Sequence, residues 1–186
     1  MCVYALQGQG PSYFTEEEQK SILEETKLQP RYLQELKKRY SKLETSKSKN
    51  ETAGVAVADV LQIPELHNHK IGILMAEKLG GRAGILYPKD FVNLFSALSL
   101  ARPAEEKIKI LFELLDVRKF GYLGGIELYR FYHMLFSPAL NNEQIESMTK
   151  QALQVAGDKI DFLKFKQLMP LYEVMEKMTV ELQMTE

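Results

Sequence analysis

The stretch from Asp116 to Glu127 is the part of this chain best suited to hold a cation. It opens with an acid, places Gly121 sixth and closes twelfth with Glu127. In that pattern carboxylates at both ends of a loop grip calcium, and a glycine permits the sharp turn between them. Calcium needs about six to eight oxygens, several anionic, yet Arg118 and Phe120 stand at the third and fifth places. A micromolar site corresponds to about 8 kcal/mol of binding free energy, more than two acids, a carbonyl and water supply beside an arginine. Helix capping and solvated charge are therefore the favoured roles for Asp116 and Glu127, and no metal or other cofactor is expected.

Other chemistry-bearing groups are sparser. His67-Asn68-His69 lacks a third metal ligand and reads as a surface turn. His133 lies among Tyr129, Phe131, Tyr132 and Phe136, a setting for a packed or hydrogen-bonded histidine rather than a catalytic base. Gly80, Gly81 and Gly84, like Gly124 and Gly125, lack the Lys-Ser/Thr ending of a phosphate-binding loop. The single cysteine, Cys2, excludes an internal disulfide and a cysteine zinc cluster, and its place at the terminus suggests no Cys/His nucleophile pair. These absences point away from an enzyme.

The elements that must position these residues are helical. With 186 residues, 45% of them hydrophobic, the chain can form one compact domain or two intimate lobes. Its net charge is -1, from 24 basic and 25 acidic residues, which gives a polyanion no purchase, so nucleic acid is not an expected partner. No leader-like segment and no bilayer-spanning apolar run is read, Cys2 rather than glycine rules out N-myristoylation, and direct membrane insertion is not expected. The Asn50-Glu51-Thr52 acceptor tripeptide is then idle, and a reducing, cytoplasmic setting is the default.

Residues 1–13 carry Gly8, Gly10 and Pro11 and read as a loose arm. Thr15 with Glu18 makes a capping box that opens the first helix. Tyr32, Leu33, Leu36, Tyr40 and Leu43 form one stripe of a second helix, which ends in a polar loop through Asn50. Further helices are predicted over 70–78, over 88–98 with Phe91, Leu94, Phe95 and Leu98, and over 103–115 with Ile108, Leu111, Phe112 and Leu115. Three more cover 126–136, 145–155 and 162–168, before a tail bearing Met175, Met178 and Leu182. Helix, short glycine-bearing loop and helix thus recur four times.

The 116–127 loop supplies a frame for the others. In the second loop Gly84 is sixth, Leu86 eighth and Asp90 twelfth, but Leu79, Gly81 and Ala83 occupy the liganding first, third and fifth places. The fourth has Ile160 eighth and Lys164 twelfth, where a cation would repel the metal. The first, between Leu43 and Val60, is longer and puts Val55 eighth. Loops of this kind pair through their eighth places, so Val55 should meet Leu86, and Leu123 should meet Ile160, each as a small antiparallel bridge.

In this arrangement the chain resembles the calcineurin B and calcineurin-homologous EF-hand proteins. The resemblance rests on Asp59-Val-Leu-Gln-Ile-Pro-Glu-Leu66, on Ile22–Thr26 and Leu36–Leu43 in the opening helices, and on Ile108–Asp116 and Val174–Met178. It spans about residues 14–182. It implies an all-α fold of two EF-hand-like lobes, at about 14–100 and 104–170, followed by a tail helix at 171–186. It also implies a non-catalytic accessory or regulatory subunit whose targets are phosphatase catalytic subunits or membrane sodium/proton exchangers.

Met134, Met148, Met169, Met175 and Met178 are concentrated in the second half. Flexible, polarizable methionines suit a groove that accepts a partner helix. The groove is expected to use Phe91, Leu94, Phe95, Leu98, Leu111, Leu115, Phe131, Met134, Leu135, Met148, Leu168 and Met169, clasping an amphipathic helix of a protein partner. The tail stripe of Met175, Met178 and Leu182 would suit the same groove. Ordinary core filling is the competing role for each of these residues. Two rival functions remain: a permanent structural component of a cytoskeletal or ciliary assembly, and a residual calcium sensor working through the third loop.

Overall fold

A computed structural model describes residues 13–45 and 54–184. Cys2, most of the N-terminal arm and the Asn50-Glu51-Thr52 tripeptide lie outside the described residues.

The first helix, α1 (Glu16–Thr26), starts where the sequence places it: the Thr15 hydroxyl accepts from Glu18 N–H, and the Glu18 carboxylate accepts from Thr15 N–H. Helix α2 (Pro30–Thr45) follows, with proline opening it. A strand β1 (Val55–Ala56) leads into one turn, α3 (Val57–Val60), and then α4 (Lys70–Gly80). The next loop carries β2 (Ile85–Leu86) into α5 (Pro88–Leu98).

The second half repeats the plan. Helix α6 (Ala104–Leu115) enters the third loop, whose β3 (Tyr122–Leu123) leads to α7 (Gly125–Phe136). Helix α8 (Asn142–Ala156) is capped by Asn141 and Gln144 in a reciprocal box. It reaches β4 (Ile160–Asp161), α9 (Phe162–Leu168) and α10 (Leu171–Lys177). The helix of the tail is shorter than expected. From Met178 onward the backbone turns to bonds outside the tail, such as Val180 N–H to the Leu98 carbonyl, and residues 179–184 have no regular structure.

Both loop pairs meet in the expected register. Val55 faces Leu86 and Ala56 faces Ile85; Leu123 faces Ile160 and Tyr122 faces Asp161, each pair antiparallel. The four eighth-place residues are almost fully buried. One apolar cluster runs from Phe14 to Val180 and draws on both halves. Lys70 also joins the halves, its ammonium donating to the carbonyls of Leu135 and Ser137 at 2.8 Å each.

Candidate functional site

Two regions stand out: the loops, where paired hands hold a cation in other proteins, and α6, on which the tail helix packs.

In the third loop both retained acids are engaged by the protein itself. Asp116 accepts from Phe120 N–H at 3.0 Å and Gly121 N–H at 2.8 Å, one bond to each carboxylate oxygen. One oxygen of Glu127 accepts from Gly124 N–H at 3.0 Å; the other takes Arg118 Nε at 3.0 Å and a second, shorter bond from the same guanidinium. Burial opposes ionisation of Glu127, but the hydrogen bonds from Arg118 and Gly124 outweigh it and hold the carboxyl below the usual carboxylate range. Arg118 also lies over the Phe120 ring at 5.0 Å; Phe120 stacks on Tyr122, and Lys159 from the fourth loop covers Tyr122 at 4.8 Å. Capping is thus one real role of Glu127, while the expectation that its charge is simply solvated gives way to a pair with Arg118.

The calcium that such loops take in other proteins does not fit these donor sets. Leu79, Gly81 and Ala83 offer no side-chain oxygen in the second loop. In the fourth, Leu153, Val155 and Gly157 fill the first, third and fifth places. Lys164, its twelfth residue, brings its ammonium to 3.7 Å from the point a Cβ on Gly157 would occupy. Among the described residues no group of three or more His, Cys, Asp and Glu side chains could hold a metal ion. His69 is not a free surface residue: its Nδ1 accepts from Gly72 N–H at 2.9 Å and caps α4, and burial lowers its pKa.

The expected groove residues fall into two groups. Phe91, Leu94, Phe95, Leu98, Leu111, Leu115 and Phe131 are buried in the chain's own core. Met134, Leu135 and Met169 pack on that core while partly exposed, Met148 is partly exposed on α8, and Leu168 is 46% exposed. Of the tail residues, Met178 is fully buried, and Met175 and Leu182 are partly so. Helix α10 packs against α6.

Polar anchors absent from the sequence-based expectations hold the tail. Lys107 is fully buried on α6, and its ammonium donates to the Met178 carbonyl at 2.5 Å and the Thr179 hydroxyl at 2.9 Å. Burial, with Arg102 nearby, brings its pKa down to about 8. Its signal in the sequence is its place: Lys107 is four residues before Leu111 and seven before Leu114, on the apolar stripe. Further on, Arg39 bonds Glu35 at 3.0 Å and Glu65 at 2.7 Å, while Gln183 donates its N–H to Glu65 and its carbonyl accepts from Arg39. Between the tail, the start of α2 and the α5–α6 connection lies a cleft of about 550 Å³, lined by Leu28, Tyr32, Phe95, Leu100, Val180 and Leu182 among others.

Four helix–loop–helix units, bridged in pairs through short antiparallel strands, define a paired EF-hand protein. No family model matches the chain. It is similar to the calcineurin B protein of Schizosaccharomyces pombe, 25% identical over 156 residues that cover 80% of this chain and 86% of that protein. The type 2 calcineurin B protein of Dictyostelium discoideum is 29% identical over 154 residues, covering 80% and 82%. The human type 2 calcineurin B protein is 24% identical over 153 residues, covering 80% and 88%. Along most of its length the chain is thus similar in sequence to calcineurin B proteins.

Proposed function

We propose that this chain is a calcium-independent accessory or regulatory subunit that clasps an amphipathic helix of a target protein. The observation that carries this reading is the packing of α10 on α6. A short helix from the chain's own tail already lies on this face, burying Val174 and Met178 there. A partner's helix with apolar residues at three- and four-residue spacing would bind here by taking the place of α10. The partly exposed Met134, Leu135 and Met169 extend apolar surface beside it and adapt to the partner's side chains.

Calcium independence is supported by the second and fourth loops, whose first, third and fifth places carry no side-chain oxygen, and by the third, whose two acids are engaged by Arg118 and backbone donors. The relatives are named as subunits of calcineurin, so a phosphatase catalytic subunit is the first target class to test, and an ion transporter the second. A cytoplasmic setting belongs to the same reading. Among the described residues no helix is long and apolar enough to cross a membrane.

The test is capture of the tagged protein with its partner from native cells, in calcium and in chelator, with Met134→Asp and Met169→Asp variants beside it. One dominant partner, recovered equally in both buffers and lost from the folded variants, is the expected result. Recovery only in calcium would overturn the reading of the loops. Undiminished recovery by both variants would move the site away from this face.

A further inference from the structure

In a working calcium loop the third place supplies an anionic oxygen and the twelfth closes on the ion with two oxygens. Here the third place is Arg118, and it reaches across the loop to Glu127 at the twelfth. Glu127 is 7% exposed, so its carboxylate is buried and needs a cationic or hydrogen-bonding partner. It has both: the guanidinium on one oxygen and Gly124 N–H on the other. Asp116 holds the turn through Phe120 and Gly121, as a first-place carboxylate must for the loop to close.

We propose that Arg118 is a built-in replacement for the calcium ion, its guanidinium holding Glu127 across the loop as an ion would otherwise hold it. The third hand then carries its own permanent cation, and its state is fixed by sequence rather than by calcium concentration. In the fourth hand the twelfth place is itself a cation, Lys164, whose ammonium lies 3.7 Å from the point a Cβ on Gly157 would occupy. The two loops bridged by Leu123 and Ile160 therefore each bring a cation of their own. A fixed pair of this kind removes the closed-to-open step by which sensor hands expose their groove. This proposal rests on the reading of the chain as a calcium-independent binding subunit and supplies its cause.

The two fail separately in one experiment. Calcium is titrated calorimetrically, to millimolar concentration, into the full chain, into Phe120→Asp and into the double variant Arg118→Asp/Phe120→Asp. The double variant has acids at places one, three, five and twelve, with Gly121 sixth. We expect no binding by the unaltered chain or by Phe120→Asp up to millimolar calcium, and one site in the double variant with a Kd at least 100-fold below that concentration. Equal binding by Phe120→Asp and the double variant would show that Arg118 does not stand in the ion's place. Absence of binding by a double variant that keeps the helical circular dichroism of the parent would overturn the proposal equally. If the double variant does not fold, Arg118→Asp alone decides: its Tm must rise with added calcium, and a Tm unmoved at millimolar ion overturns the proposal. Binding by the unaltered chain removes the calcium-independent reading instead; if the double variant then gains a second site, Arg118 still stands in for the ion.

Discussion

The second loop closes on its own backbone, with almost no help from side chains. A 3-10 turn covers Gly81–Ala83; Gly84 then adopts φ +62°, and its carbonyl accepts from Val57 N–H at 2.8 Å. At Gly80 a Cβ would meet the Val57 side chain at 2.4 Å, so the turn also draws α4 and α3 into contact. The third loop closes on charge: Asp116, Arg118 and Glu127 supply five of its bonds. On the proposed reading, the two loops dispense with an ion by two different routes. One lacks side-chain oxygens at its first, third and fifth places and keeps only the acid Asp90 at the twelfth. The other keeps the two end acids and supplies the cation from within, which leaves it a few substitutions from a working site.

The loops share their apolar bridge, so the largest effect should be common to both. Leu86→Ala and Leu123→Ala each remove a fully buried side chain and should cost about 2–5 kcal/mol, measured by denaturant unfolding. A cost for Leu123→Ala far below that of Leu86→Ala would mean that charge, not the bridge, carries the second lobe. The next effect tests the turns. Gly84 and Gly121 sit at φ +62° and +76°, and a Cβ at either would find nothing within 4 Å. Alanine at each should therefore cost only the left-handed backbone penalty, about 1–2 kcal/mol. Equal values would show that the turns differ in side chains alone.

Much of this comparison is legible in the sequence, because spacing fixes it. Helix periodicity, the capping box at Thr15 and Glu18, and the eighth-place apolar residues lead to the hands and to both bridges in register. Arg118 can be placed at the third position, but its partner cannot, since a side chain of that length can reach several acids. The tail's anchoring is not legible either. The bonds from Lys107 to Met178 and from Glu65 to Gln183 join residues far apart in the chain, and nothing local in the sequence pairs them. A histidine placed like His69, among polar residues, looks exposed, whereas its ring folds back to cap α4.

The smallest predicted effect separates the loops most sharply, because it has a pH signature. Arg118→Gln should cost about 1 kcal/mol at neutral pH, a value held low because the Arg118 side chain is 48% exposed and screened by water. Glu127 titrates lower in the folded chain than in the unfolded one. On acidification the unfolded state therefore takes up its proton first, and the stability that the pair contributes is lost as pH falls through the folded pKa. The gap between the parent and Arg118→Gln should be full at pH 7 and should shrink steadily below the ordinary carboxylate range. Arg82→Gln, an exposed arginine in the second loop, should change stability by less than about 0.5 kcal/mol, with no dependence on pH. A gap for Arg118→Gln that persists unchanged into acid would mean that Arg118 holds the loop through its stack on Phe120, not through Glu127. The third loop would then be kept shut by packing, much as the second is by its backbone.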